Sequence, residues 1–307
     1  MNLITGVSPH IKTEEDTKNI MLDMIIALAP ATVFGVIVFG ISALLTVLVC
    51  VAAAVITETL CCYLLHKPIS TLDYSAIVTG LLLALSLPAG IPLYIAVLGS
   101  VFAIIVAKLL FGGLGKNLVN PAIFGRVFLL SAFPSFMTTF KEPFSDVIAS
   151  ATPLTSGTHS FKEIFFGVCS GSIGETSALL ILFGGAYLVV RRVITITIPL
   201  SFIITSFVIA LISGLNPFVE IVSGGLLFGA VFMATDYVTS PITKMGKIVF
   251  GIGCGIITML IRLFSVLPEG VSYGILLMNL ITPLIDRYIV TCRFDFFKLI
   301  REGKKSV

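Results

Sequence analysis

Residues 41–57, ISALLTVLVCVAAAVIT, contain no charged side chain, and runs of this kind recur along almost the whole chain. Such a run has few ways to satisfy its backbone away from water. In a bilayer an α-helix pairs its N–H and C=O groups internally, and these runs read as such helices. A spanning helix needs roughly 20 apolar residues. Only 11% of the 307 residues are charged and 57% are apolar, whereas a soluble surface uses about 25–35% charged residues. The expected fold class is therefore an all-α integral membrane protein without a sizeable soluble domain. The N-terminus carries "KTEEDTK" rather than a basic stretch feeding an apolar core, so it does not read as a cleavable signal.

Gly, Pro and charges divide the apolar sequence into ten candidate spans: 21–39, 41–65, 75–88, 92–111, 121–133, 176–190, 193–213, 217–234, 247–267 and 271–290. The third and fifth are short for a full crossing. Lys and Arg mark the cytoplasmic connections of a membrane protein. An even number of spans puts both termini on one side, and the basic tail RFDFFKLIREGKKSV makes that side cytoplasmic. Alternate connections then carry His66–Lys67, Lys116, Arg191–Arg192, and Lys244 with Lys247. The opposite connections, Gly40, PAGIP, SGLNP and PEG, have neither Lys nor Arg. The long connection 134–175, with Lys141 and Lys162, falls outside. This divides the chain into a cytoplasmic segment 1–20, five helices in 21–133, an extracytoplasmic loop 134–175, five helices in 176–290 and a basic tail 291–307.

The two halves resemble each other. IVTGLLLALSLP from Ile77 matches IVSGGLLFGAVF from Ile221, and the segment from Ile95 resembles that from Ile248, setting Lys108 against Arg262. Five helices per half is an odd number, so the second copy runs inverted. Inverted repeats place binding sites between the halves at short or broken helices, here the third helix and its counterpart after Val219.

Polar residues are few. Six cysteines without a CxxC, and three scattered histidines, give no legible iron–sulfur, haem or metal site. The segment KLLFGGLGKNLVNPAIFGR, residues 108–126, has glycines including Gly113 that permit unusual backbone, Asn117 and Asn120 three apart, and Pro121 placed to open a helix. Arg126 follows about one and a half turns later. These residues form either a capped turn or a pair of amides that hydrogen-bond a planar heterocycle bearing carbonyls and N–H groups. Asp236, in MATDYVTSPITKMGK, ends an apolar run and is a candidate for an ion pathway. Glu58 and Asp286 are further intramembrane or boundary acids. Local pairing with Lys244, Lys247 or Arg287 is the plainer account of all three. In DVIASATPL, residues 146–154, a Thr before Pro is by itself an ordinary turn.

Taken together and in order, FGGLGKNLVNPAIFGR, DVIASATPL, MATDYVTSP and GVSYGILLMNLITPLIDR make the chain resemble the D subunits of the Rnf ion-translocating ferredoxin:NAD oxidoreductase, relatives of the B subunits of the sodium-pumping NADH:quinone reductase. The resemblance covers essentially the whole chain. It implies a membrane subunit that passes electrons between partner subunits, coupled to Na⁺ or H⁺ movement, with no stand-alone catalysis and no nucleic-acid partner. It implies FMN joined through its phosphate to Thr152 by a separate flavin transferase that uses FAD. Asp146, Ser150 and Ala151 complete that motif, although Ala149 stands where Ser or Thr is usual. It also implies a second, non-covalent flavin, riboflavin in this family, contacted by Asn117 and Asn120, with Gly113 and Arg126 in the same segment. The rival function is a channel or secondary transporter on an inverted-repeat fold.

Overall fold

Helices account for the apolar runs, and their lengths decide how each is used. The computed structural model describes residues 17–66, 73–144, 148–149, 161–167, 169–223, 225–265 and 270–303. In chain order the helices are α1 (Thr17–Phe39), α2 (Ile41–Leu64), α3 (Ser75–Leu85), α4 (Leu93–Phe102) running on as a π-helix, π1 (Ala103–Leu109), α5 (Pro121–Ala132), α6 (Pro134–Met137), α7 (Phe161–Phe166), α8 (Ala178–Val190), α9 (Thr197–Ile212), α10 (Pro217–Val222), α11 (Leu226–Phe228) running on as π2 (Gly229–Met233), α12 (Lys244–Phe264) and α13 (Val271–Gly303). Between α6 and α7 lies a small antiparallel pair, β1 (Phe140–Lys141) with β2 (Ile148–Ala149). The protein is an all-α membrane protein. Among the described residues, α1, α2 and α12 are each long and apolar enough to cross a bilayer unaided.

The surface is that of a chain solvated by lipid. On α9 the exposed residues Leu200, Ile204, Val208 and Leu211 form one stripe at helical spacing, while Phe202, Ser206 and Ala210 turn inward. Charge is inside instead: Glu58, Lys108, Arg126 and Glu175 are all buried. Helices approach closely where a side chain is missing. A β-carbon on Gly184 of α8 would collide with the Ala27 carbonyl of α1, and one on Gly251 of α12 with the Ser201 side chain of α9.

Two short helices interrupt the bundle. At about 1.5 Å per residue, the 11 residues of α3 cover roughly half of a ~30 Å hydrocarbon core. Tyr74 precedes α3 with φ +60°, and Gly225 precedes α11 with φ +63°, so both short helices are entered through a left-handed residue. The expected span 217–234 is accordingly not one helix. Ser223 is extended, its hydroxyl turns back onto the Val219 carbonyl, and the chain restarts at Gly225.

Two other stretches differ from the sequence reading. The end of the connection 134–175 is not a surface loop. Ile173 N–H donates to Leu87 O at 3.1 Å and Gly174 N–H to Leu85 O at 2.7 Å, and Ser172 and Ile173 are fully buried. This segment supplies donors to carbonyls that α3, ending inside the protein, would otherwise leave unpaired. At the other end of the chain α13 does not stop at 290: the basic stretch continues the same helix to Gly303.

Candidate functional site

Among the described residues, a cleft is lined jointly by elements from the first and second halves of the chain. It has about 660 Å³ of non-protein space, the open solvent at its mouth included. Its walls are mostly apolar: Met21 and Met24 from α1, Val78 and Leu82 from α3, Ile194, and Phe232 from π2. A few polar groups interrupt them: Ser75, Thr79, Lys108, Asn117, Asn120, Thr235 and Asp236.

The glycine-rich turn after π1 sets one edge. Gly112, Gly113 and Gly115 have φ of +115°, +99° and +84°, conformations that Cβ-bearing residues resist. Gly113 N–H donates to Lys108 O at 3.0 Å, which folds the chain back and brings Leu114 and Asn117 to the cleft. The two asparagines then behave differently. Asn120 is the N-cap of α5: its Oδ1 accepts from Ala122 N at 3.0 Å and Ile123 N at 3.4 Å, and Pro121 occupies the first helical position. Its Nδ2 donates to Met233 O at 3.2 Å, tying the first half to the end of π2. Asn117 is 7% exposed, and its Oδ1 is buried with no hydrogen-bond partner among the described residues. Buried polar atoms are rarely left unsatisfied, which sets this acceptor apart from the paired amide of Asn120.

Asp236 follows π2 and is half-buried, its Oδ2 accepting from Thr239 Oγ1 at 3.0 Å. Burial pushes its carboxyl above the usual range, against the opposing pull of the Thr239 hydroxyl and the Val238 and Tyr237 amides. The third polar feature is an ion pair in the wall. Lys108 Nζ donates to Glu58 Oε1, Glu58 Oε2 and Ser75 Oγ, each at 2.8 Å, which uses all three ammonium protons. Glu58 is 0% and Lys108 2% exposed.

The structure thus brings Asn117, Asn120 and Asp236 together, with Gly113 shaping the turn beside them. It does not bring Arg126 to the cleft. Arg126 lies deeper on α5, buried, with Nη1 3.1 Å from Glu175 Oε1 in the segment that closes α3. Asp146, Ser150, Ala151 and Thr152 lie outside the described residues. Two further acids have partners in the structure. Glu58 is held by Lys108, and Asp286 accepts the Ile242 N–H at 3.2 Å. Lys108, Ser75 and Thr79 are not legible from sequence as cleft residues. The one available signal is a lysine and a glutamate buried in separate apolar runs, since such charges survive in a membrane only by pairing.

Comparison with known proteins bears on this arrangement. The model of the NQR2, RnfD, RnfE family matches residues 4–295. The D subunit of the Na(+)-translocating ferredoxin:NAD(+) oxidoreductase complex of Acetobacterium woodii is 46% identical to the chain, with 99% of each covered. The D subunit of the proton-translocating ferredoxin:NAD(+) oxidoreductase complex of Clostridium ljungdahlii is 42% identical, with 94% of each covered. The D subunit of the ion-translocating oxidoreductase complex of Stutzerimonas stutzeri is also 42% identical, with 94% of each covered.

Proposed function

The chain belongs to the NQR2, RnfD, RnfE family, a membrane subunit of an ion-translocating redox complex, and from that premise we propose that it carries electrons through two flavins between the other subunits. One is FMN on Thr152. The other is a non-covalent flavin in the cleft at the junction of the halves.

The observation that carries the second flavin is the orphaned Oδ1 of Asn117. A flavin ring presents both carbonyls and an N–H, so a buried lone acceptor beside apolar walls matches its N–H edge. The wider polar set fits as well. Asn120 is committed as cap and strut, yet its amide retains a second N–H that can meet a ring carbonyl. The described lining offers no spare cation, because Glu58 neutralises Lys108, and Asp236 adds a carboxylate. Such a lining suits riboflavin better than a phosphorylated flavin. When bound, the flavin supplies the electron chemistry; the chain binds it, orients it and keeps water from it.

The covalent FMN rests on the motif of Asp146, Ser150, Ala151 and Thr152 and on a separate flavin transferase. The Lys/Arg asymmetry supports ten spans, cytoplasmic termini and an outer position for the 134–175 connection. An inverted repeat of two five-helix halves accounts for the left-handed entries of α3 and α11. It also accounts for the matched cations beside them: Lys108 binds Ser75 and Glu58, while Arg262 Nη1 binds Glu220 at 3.0 Å and Nη2 binds the Ser223 carbonyl at 3.1 Å. Asp236, at the break after π2, belongs to the ion pathway in this reading.

The test separates the two flavins. Thr152→Ala protein, purified as the full chain, is expected to lose in-gel flavin fluorescence yet still release flavin on acid precipitation. Protein that releases none, with its fold intact, has no second flavin.

A further inference from the structure

We propose that Lys108 sets the reduction potential of the flavin in the cleft, acting through its field rather than through a bond. The inference rests on the flavin reading of that cleft.

The argument begins with which end of the ion pair faces the site. Lys108 and Ser75 line the cleft, and Glu58 does not. Glu58 reaches the ammonium from α2, behind the wall, with both carboxylate oxygens at 2.8 Å. The pair is neutral in sum but not in direction: of its two members, only the cationic residue belongs to the cleft lining. All three ammonium protons are already donated, so Lys108 has none left for a ring atom. What remains is an oriented charge of which only 2% is exposed. Burial matters here because water does not screen it. A charge interaction that is worth little in water grows severalfold at the lower effective dielectric of a protein interior.

The consequence for the flavin follows from charge balance. A neutral oxidised ring that takes two electrons from a reductant and one proton from solvent becomes an anion with one negative charge. In the complex, on the proposed function, the reductant is a redox group of another subunit. In the experiment they come from dithionite. A positive end facing the ring stabilises that anion relative to the neutral oxidised form, and the potential rises. A cation near the ring is an established way for a protein to tune flavin electronics. Lys108 is here a positioning residue: it touches no reacting atom. The device is expensive to misplace, because an unpaired charge in a membrane interior is costly. Glu58 and Ser75 hold it to one orientation.

The experiment is a dithionite redox titration of the full chain in the Thr152→Ala background, so that the flavin followed by absorbance is the non-covalent one. Three further variants are compared. Lys108→Met with Glu58→Leu removes the pair without leaving a buried charge alone, and is expected to move the midpoint to lower potential. Lys108→Arg keeps the cation and is expected to stay near the parent. Glu58→Asp draws the carboxylate back by one methylene, leaves both charges in place and is expected to move the midpoint upward. Flavin bound in all proteins with one common midpoint overturns the role of Lys108 and leaves the flavin reading standing. A downward shift as large in Lys108→Arg as in the pair-free variant also overturns it, since packing rather than charge would then be at work. If the pair-free variant does not fold or holds no flavin, Glu58→Asp decides, and an unshifted midpoint there overturns the proposal. Absence of releasable flavin from the parent itself overturns the reading beneath it and this inference with it.

Discussion

Asn117 and Asn120 stand three residues apart in one turn, and their environments predict opposite consequences for the same substitution. Asn120→Leu removes a helix cap, about 0.5–2 kcal/mol. It also removes the donor to Met233 O, leaving a buried carbonyl unpaired at about 1–3 kcal/mol. The expected loss is roughly 2–4 kcal/mol, and it is present whether or not flavin is bound, because both bonds lie within the chain. Asn117→Leu breaks no bond at its Oδ1, which has none among the described residues. Exchanging an unsatisfied buried acceptor for an alkyl group is neutral or stabilising for the empty protein. Its effect falls on the ligand, whose N–H loses its acceptor, for about 1–3 kcal/mol and roughly 5- to 150-fold weaker binding. Thermal unfolding in detergent of flavin-stripped protein reads the first effect, and acid-released flavin, set against the gel-retained signal, reads the second. Asn120→Leu should unfold early, and Asn117→Leu should unfold with the parent but hold little flavin. If Asn117→Leu releases as much flavin as the parent, the orphaned amide does not serve a flavin and the argument for the cleft's ligand fails.

Thr152→Ala should abolish in-gel fluorescence, as should expression without the flavin transferase; fluorescence that persists in the variant moves the attachment elsewhere. A cysteine at Ser156 in an otherwise cysteine-free background should react with an impermeant maleimide from the outer face of the membrane, and labelling from the inner face alone reverses the assigned topology. Lys108→Met alone should destabilise the protein by about 3–5 kcal/mol by stranding Glu58, whereas the double change with Glu58→Leu should be close to neutral; the comparison is read by denaturation in detergent. Gly184→Val, which drives a side chain into the Ala27 carbonyl of α1, should cost about 1–3 kcal/mol by parting the helices that join the two halves, read by the same denaturation.

The architecture is legible where one physical cause dominates. Uninterrupted apolar runs admit only helices in a bilayer, and α1, α2 and α12 follow their runs to within a few residues. Legibility fails where backbone satisfaction, not hydropathy, decides the path. Residues 217–234 are apolar enough for one helix, but Ser223 and Gly225 accommodate a break, and hydropathy is blind to a left-handed φ. Residues 172–174 look like loop because they fall in a long connection of small and polar residues. They are buried because α3 ends inside the protein and its carbonyls need donors, a demand visible only once α3 is known to stop at Leu85. The last expected span ends at 290 because its apolar run ends there, yet charge does not oppose helix, and α13 continues to Gly303.

The site divides along the same line. Spacing places Asn117 and Asn120 together and offers two roles, a capped turn or a pair of amides for a heterocycle, as if one choice covered both. The geometry assigns the roles separately: Asn120 is the cap, and Asn117 carries the unused acceptor. A sequence motif cannot make that distinction, because it depends on Met233, 113 residues away from Asn120, arriving at the end of π2 to take the amide of one and not the other. The same holds for Lys108. Within its own apolar run it is an anomaly that suggests pairing but names no partner. Its acid comes from α2, 50 residues earlier, and its direction comes from Ser75 at the entry of a half-length helix. Intramembrane charge therefore signals from sequence that a pair exists. Which end of that pair faces the cleft, and hence the sign of its effect on anything bound there, is a property of three helices packed together.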